Sequence, residues 1–300
     1  MTTVKGQAPS APATGGRSSR STARKVLAIV GRIALFALGA VFAVPLYLLI
    51  AISLKSPQQT AESPFSLPFP ADFRNYTTAW QHSAGSGSAS FAGSLLNSAL
   101  ITGLSVLLIV GVGSAAGYYL GRRRTRLSRR VYMMFLAGIT LPVQLAVIPL
   151  YGIFDSLGVL GNPAAVIAFY VGLLTPFSVF LFTGFVRSIP IDFEEAAQID
   201  GAGWIQMYFR IILPLLGPVV STVAVLTSIA VWNDFFSQLV FLLGSGNETL
   251  PLTVYTFSGQ YTSQYNLLTA GLVIAAAPIV VFYLLLQRRI VEGFSTGVKG

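Results

Sequence analysis

The sequence predicts an all-α integral membrane protein with six transmembrane helices and both termini in the cytosol, and three observations lead there. Hydrophobic residues fill 54% of the 300 positions and charged residues only 10%, against about 25% charged in soluble domains, so a water-soluble globule would lack polar surface to cover itself. The apolar residues are gathered into long charge-free spans, each able to cross the ~30 Å hydrocarbon core of a bilayer. The basic residues behind the net charge of +9 flank those spans, so the excess reads as topology and not as a nucleic-acid footprint. The lack of cysteine excludes disulfides, thiolate metal sites and thiol nucleophiles, and a single histidine, His82, excludes a histidine-based metal cluster.

Residues 1–25 are rich in Ser, Thr, Ala, Gly and Pro, carry Arg17, Arg20, Arg24 and Lys25, and show no apolar periodicity. They read as a disordered cytosolic tail ahead of a transmembrane domain over residues 26–300. The first span, Ile33 to Leu54, has 22 residues without a charge, longer than the ~7–15-residue core of a cleavable signal peptide, and Pro45 is expected to bend it. Lys55 to Ala92, with Pro57, Pro64, Pro68, Pro70 and a Gly/Ser run, is expected as an external loop whose proline-rich half lies along the membrane surface. Trp80 and His82 within it read as interfacial or solvent-facing. The second span, Gly93 to Gly121, is 29 residues without a charge, and Gly103, Gly111, Gly113 and Gly117 suit close helix packing. It ends at six arginines within nine residues, Arg122 to Arg130, read as a cytosolic anchor.

The third span, Val131 to Phe154, holds Pro142, Gln144 and Pro149, and a turn over Asp155 to Asn162 follows with Gly158 and Gly161. The fourth, Pro163 to Val186, is expected to be broken by Pro176 and is closed by Arg187. The fifth runs from Leu213 to Phe236, an aromatic-bearing external loop from Gly244 to Asn266, and the sixth from Leu267 to Gln287, stopped by Arg288 and Arg289. With the N-terminus inside and six crossings, all 19 basic residues except Lys55 and Arg74 fall on the cytosolic side. The opposite orientation, or an odd number of spans, would destroy that bias.

A polar island from Asp192 to Pro214 separates spans four and five. Pro190 blocks continuation of the preceding helix, and Asp192 with Glu195 three residues later fits a capping box. A short helix over Phe193 to Ile199 is expected, with Glu194 and Glu195 in its first turn complementing the helix dipole. Gly201 supplies the left-handed position that turns the chain. After Gly203 a second helix, with Trp204, Met207, Tyr208 and Ile211 opposed to Gln206 and Arg210, is expected to run through Leu213 and Pro214 into span five.

The same island carries a resemblance. Glu195-Ala196-Ala197, three residues, Gly201, nine residues, Ile211, one residue, then Leu213-Pro214 resembles the EAA loop of ABC importer permeases, with Asp200-Gly201-Ala202 matching its Asp-Gly-Ala extension. Trp232-Asn233-Asp234-Phe235, Leu250-Pro251-Leu252-Thr253 and Gly297-Val298-Lys299-Gly300 resemble segments of the maltose-type carbohydrate permeases. The resemblance covers most of the chain from Tyr132 onward. It implies a pore shared with a second permease subunit, two ATPase subunits that bind the cytosolic loops, an extracytoplasmic solute-binding protein, and a sugar as solute. It further implies that Asp192, Glu194, Glu195, Ala196, Ala197, Asp200, Gly201 and Ala202 form a coupling helix seated on the ATPase, and that Tyr255, Tyr261 and Tyr265 reach the binding protein.

No GxxxxGK[ST] phosphate cradle and no Ser/His/Asp grouping occurs in the chain, so the reading is a transport subunit, not an enzyme, without a cofactor or metal of its own. ATP and Mg²⁺ are expected on the ATPase subunits. For the solute path, Asn233 and Asp234 lie some twenty residues past Leu213, or ~30 Å of helix. An Asp in mid-membrane faces the bundle or a vestibule, because exposure to lipid costs about 2.5–3.5 kcal/mol. Asn97 and Gln144, in the outer halves of spans two and three, are the amides placed to join them. Trp232 offers an aromatic face for a sugar. A purely structural part for Asn233 and Asp234, as helix caps or helix-to-helix bonds, is the alternative at those two positions. A secondary transporter is the rival class, with Asp234 as its one intramembrane ionisable group, but it leaves the Glu-Ala-Ala loop unexplained. ABC permeases for other solutes are the nearer alternative.

Overall fold

The computed structural model describes residues 17–81, 89–258 and 264–297, with side chains from 28 to 285 within those ranges. His82 and Tyr261 lie outside the described residues. Among those described, the secondary structure is helical, and the chain divides into Met1–Ile50 and Ala51–Gly300.

The first part is occupied by helix α1 (Arg17–Ser53), which runs through Pro45 without ending there. It starts inside the segment that the sequence reads as a disordered tail. Extending an existing helix costs far less than nucleating one, and Arg, Ser and Ala permit it. From Ala28 onward α1 is long and apolar enough to cross a membrane, and Leu35, Phe36, Val41 and Phe42 are exposed on it.

After α1 the sequence predicts only loop, and two short helices replace it, α2 (Pro57–Glu62) and α3 (Arg74–Gln81). Ser56 and Gln59 cap α2 reciprocally, a pattern of the kind expected of helix starts. Lys55 is fully buried, and its ammonium donates to the carbonyls of Ser63 and Pro64 at 2.8 Å each. Asn75 donates to the carbonyls of Ser53 and Lys55.

Next come α4 (Phe91–Arg122), α5 (Arg126–Thr140), α6 (Val143–Ser156) and α7 (Pro163–Ser188). The third expected span is thus two helices, bent by 97° at Leu141 and Pro142. Proline disfavours the α conformation in the residue before it, and Leu141 is extended at ψ 127°. Span four is one helix that passes through Pro176 unbroken, contrary to the sequence expectation. There the lost hydrogen bond is tolerated inside a helix packed along its length against α4. The α4–α7 seam is very close: a Cβ at Gly117 would lie 2.5 Å from Phe182 Cβ, and one at Gly121 2.7 Å from Val186 Cγ1.

The island between spans four and five folds as α8 (Asp192–Ile199), α9 (Trp204–Met207), a π turn over Tyr208–Ile212 and α10 (Leu213–Leu215). Span five proper is α11 (Gly217–Asn233), set at 73° to the Trp204–Leu215 segment. The second helix of the island therefore does not run straight into the membrane span as its sequence suggests. Pro214 and Pro218 both lack the N–H that would continue the ladder, and the break falls at Leu216. α12 (Phe236–Leu242) and α13 (Leu250–Tyr255) follow, helices inside stretches expected as span end and loop. The last helix, α14 (Tyr265–Gly297), continues past Arg288 and Arg289, since charge alone does not end a helix once it leaves the apolar region. Counting each bent pair as one span gives up to six candidate crossings among the described residues, four of them unbroken helices.

Three buried clusters hold this part together. One joins α4 and α7 to the island through Ile109, Phe182, Val186, Met207, Ile212 and Leu216. A second, around Phe154, Phe169, Tyr170, Val231 and Phe241, sits where α6, α7, α11 and α12 meet. The third packs α3, α13 and α14 around Phe91, Trp232 and Leu250.

Candidate functional site

The island is built by local backbone chemistry and fastened by distant side chains. Helix α8 ends in the pattern expected for a glycine stop: the N–H of Ala202 donates to Ala197 O at 2.9 Å, the N–H of Gly201 to Gln198 O at 3.0 Å, and Gly201 has φ +81°. Its start differs from expectation. Ile191 occupies the cap position with α dihedrals and no side-chain cap hydrogen bond, so Asp192 is the first helical residue and the Asp192/Glu195 capping box does not form. Asp192, Glu194 and Glu195 still lie in the first turn, where the dipole favours them.

The two glutamates point to different environments. Glu195, Ala196 and Asp200 are exposed, whereas Ala197 and Glu194 are buried. Glu194 accepts from Arg122 Nε at 2.5 Å and from the Tyr118 hydroxyl at 3.0 Å, and Arg122 Nη2 donates to Ile189 O at 3.0 Å. Removing one partner of such a buried pair typically costs about 3–5 kcal/mol. The sequence reading missed this: it assigned Arg122 to the anchor cluster, and the two residues are 72 positions apart. Around the exposed face, Phe193, Ile199, Trp204 and Ile205 are each at least half exposed. Trp204, expected on the apolar face opposite Gln206 and Arg210, is exposed and stacks on Tyr118, with ring centroids at 5.9 Å and ring planes 26° apart.

At the other end of α11 lies a cleft of about 460 Å³ lined by Gln144, Tyr170, Leu173, Asn233, Asp234 and Ser237. Three of the residues expected on a solute path, Gln144, Asn233 and Asp234, are therefore brought together. Asn97 and Trp232 are not: Asn97 donates to Glu248 O at 3.2 Å, and Trp232 is buried with its indole N–H on Ala275 O at 3.0 Å. Trp232 packs towards α14 because it follows the period of the buried α11 face, a step away from the exposed Asn233.

Behind the cleft is a polar network that the sequence did not reveal. Tyr170 donates to Asp234 Oδ2 at 2.9 Å and accepts from Gln238 Nε2 at 3.1 Å, while the Thr249 hydroxyl donates to Gln238 Oε1. Asp234 Oδ1 also accepts the backbone N–H of Ser237 at 3.2 Å, which makes it a cap for the first turn of α12. Asn233 donates to Ile229 O at 2.9 Å and stays exposed, as does Gln144. Tyr255 is half exposed and packs on Phe235 with ring centroids at 5.1 Å, beside Asp234, and Tyr265 is exposed at the start of α14.

A bundle of long apolar helices carrying an exposed Glu-Ala-Ala helix, a glycine turn and a polar cleft defines a membrane transport component. The chain belongs to the family of binding-protein-dependent transport system inner membrane components, whose model matches residues 109–295. Among its relatives are the melibiose/raffinose/stachyose import permease MelC of Bacillus subtilis, 32% identical with 95% of this chain and 100% of MelC covered. Another is the diacetylchitobiose uptake system permease NgcG of Streptomyces coelicolor, 33% identical over 85% of this chain and 83% of NgcG. A bacterial ABC transporter that imports alginate has the same fold, with TM-score 0.77 at 21% identity, covering 89% of this chain and 97% of that one.

Proposed function

We propose that this chain imports a carbohydrate as one of two permease subunits around a shared pore, driven by separate ATPase subunits and supplied by an extracytoplasmic binding protein. The observation that carries the reading is the joint presence of the Glu195-Ala196-Ala197 helix with its Gly201 turn and kinship to permeases described for oligosaccharides. The exposed carboxylates of Asp192, Glu195 and Asp200 beside Phe193 and Ile199 suit a basic groove with an apolar floor on an ATPase. ATP and Mg²⁺ bind there, and this chain contributes no catalytic group. Tyr255, Tyr261 and Tyr265 lie in the segment read as facing the binding protein.

Gln144, Asn233 and Asp234 are the cleft groups suited to sugar hydroxyls. Gln144→Ala and Asn233→Ala each remove an exposed hydrogen-bonding group without disturbing a fold contact to another helix. Each is expected to raise the KM for uptake several-fold, about 1 kcal/mol per lost bond, with ATPase activity in the absence of solute unchanged. Asp234→Ala carries an added penalty of about 0.5–2 kcal/mol for the lost α12 cap, so the two amides give the cleaner test. Identical uptake kinetics in all three variants would remove the cleft from the path. Screening the cognate binding protein against sugars by thermal shift identifies the solute, since ligand stabilises only the state that binds it.

The proposed orientation places Arg122 to Arg130 inside and the cleft end outside. Ser128 is buried, so its silence toward a thiol reagent would say nothing about sidedness. Cysteines at Arg124 and Ser258, both exposed, are informative. Position 258 is expected to react with an impermeant maleimide in intact cells and position 124 only after permeabilisation. The reverse pattern would invert the topology.

A further inference from the structure

The last three turns of α4 present two stripes of side chains, each repeating every four residues and therefore running along the helix. Gly113, Gly117 and Gly121 form one, in close contact with Ser178, Phe182 and Val186 of α7. Ser114, Tyr118 and Arg122 form the other, and each grips the island. Ser114 Oγ and the Tyr208 hydroxyl are 2.7 Å apart, Tyr118 donates to Glu194 and lies 3.4 Å from Met207 Sδ, and Arg122 bridges Glu194 and Ile189 O. The side chains of Arg122 and Glu194 are 16% and 8% exposed, so solvent screens the pair little. By covalent connection α8 is joined only to α7 and, through the Gly201 turn, to α9. The polar stripe adds a third attachment, to a helix that precedes it by 72 residues.

We propose that Arg122 is a positioning residue for energy coupling, which fastens the first turn of α8 to α4 so that displacement of the island is delivered to the α4–α7 pair. Without it, displacement is absorbed in the Ser188–Ile191 link. The inference rests on α8 being the ATPase-docking helix. A guanidinium fits this task because its fork reaches a carboxylate and a carbonyl at once, which a lysine ammonium on the same site does less rigidly.

The test uses the full complex, with partner permease and ATPase subunits, reconstituted in proteoliposomes with binding protein. Arg122→Gln is expected to retain ATPase subunits on copurification and to hydrolyse ATP at the basal rate, while sugar uptake per ATP hydrolysed falls several-fold. Arg122→Lys is expected to recover part of that ratio and Tyr118→Phe to lose less of it. A merely structural part would lower uptake and hydrolysis together, in proportion to the folded complex recovered, and would overturn the proposal. Unchanged uptake per ATP in Arg122→Gln would overturn it equally. Should Arg122→Gln fail to assemble, the paired replacement Arg122→Met with Glu194→Met removes both charges, a change often tolerated in buried pairs, and the Glu194 carboxylate, turned inward onto Tyr118 and Arg122, is not on the exposed docking face. It is expected to assemble and to show the same low ratio, and a normal ratio there refutes the strap. Failure of ATPase subunits to copurify with the unsubstituted chain is a different result, since it refutes the docking reading from which the strap follows.

Discussion

Gly201→Val is expected to abolish solute uptake while the protein remains inserted at its normal level. Gly201 has φ +81°, and a Cβ built there meets nothing within 4 Å. The penalty is therefore purely conformational: a β-branched residue forced into the left-handed region costs about 1–3 kcal/mol. The chain escapes that cost by opening the turn. Opening gives up the hydrogen bonds of Gly201 and Ala202 to Gln198 and Ala197 and reorients α8 relative to α9. If α8 and the turn dock as one surface, the same energy appears as roughly one to two powers of ten in affinity for the ATPase. Gly203→Ala is the control, because Gly203 has φ −71° and open space around it. Near-normal uptake and solute-stimulated ATP hydrolysis in Gly201→Val would detach the turn from coupling. Gly201→Asn, whose side chain tolerates left-handed dihedrals, is expected to fall between the two.

The second large effect is structural. Gly117→Leu is expected to leave little folded protein, measured as monodisperse material after detergent extraction, and Gly117→Ala to lower the thermal midpoint clearly. A Cβ at Gly117 would sit 2.5 Å from Phe182 Cβ and 3.1 Å from Thr183 N, atoms at or near the backbone that no rotamer change can move. Relief requires α4 and α7 to separate, and overpacking of this kind costs about 1–3 kcal/mol even for modest insertions. Gly113 offers a graded comparison. There the nearest atom is Ser178 Oγ at 1.9 Å, with Ser178 Cβ at 2.8 Å, so rotating the hydroxyl relieves only part of the clash. Gly111, with nothing within 4 Å, accepts alanine without loss. Equal stability of the Gly111 and Gly117 alanine variants would contradict the seam.

What the sequence revealed of this molecule was what short stretches of backbone decide. The positive φ of Gly201, the start of α7 at Pro163, and the extent of α8 to within one residue were all readable, since each depends on neighbours a few positions away. Prolines were readable only as possibilities. Pro142 stands at a 97° break, yet Pro45, Pro149, Pro176 and Pro278 lie inside helices, so the missing hydrogen bond alone does not decide where a long apolar helix ends. Contacts across long sequence separations were not readable. Nothing local distinguishes the inward Glu194 from the outward Glu195, and Tyr170 in span four, Gln238 just past span five and Thr249 in the external loop carry no mark of one another until the fold sets them behind Asp234. Asn97 and Trp232 failed to join the cleft for the same reason: depth along a helix was countable from the sequence, but the direction a side chain takes around it was not.

The break at Leu141 and Pro142 bears on where water runs. A helix interrupted within a bilayer leaves carbonyl groups that hydrocarbon cannot satisfy, so such backbone is tolerated only against protein or a water-filled cavity. Leu141, Pro142 and Val143 border an open hollow against α7, and Val143 also borders the cleft that holds Gln144 and Asn233. Hydration reaching the elbow from that cleft would let a polyhydroxylated solute exchange its shell of water gradually along the way, so that no single step strips it bare.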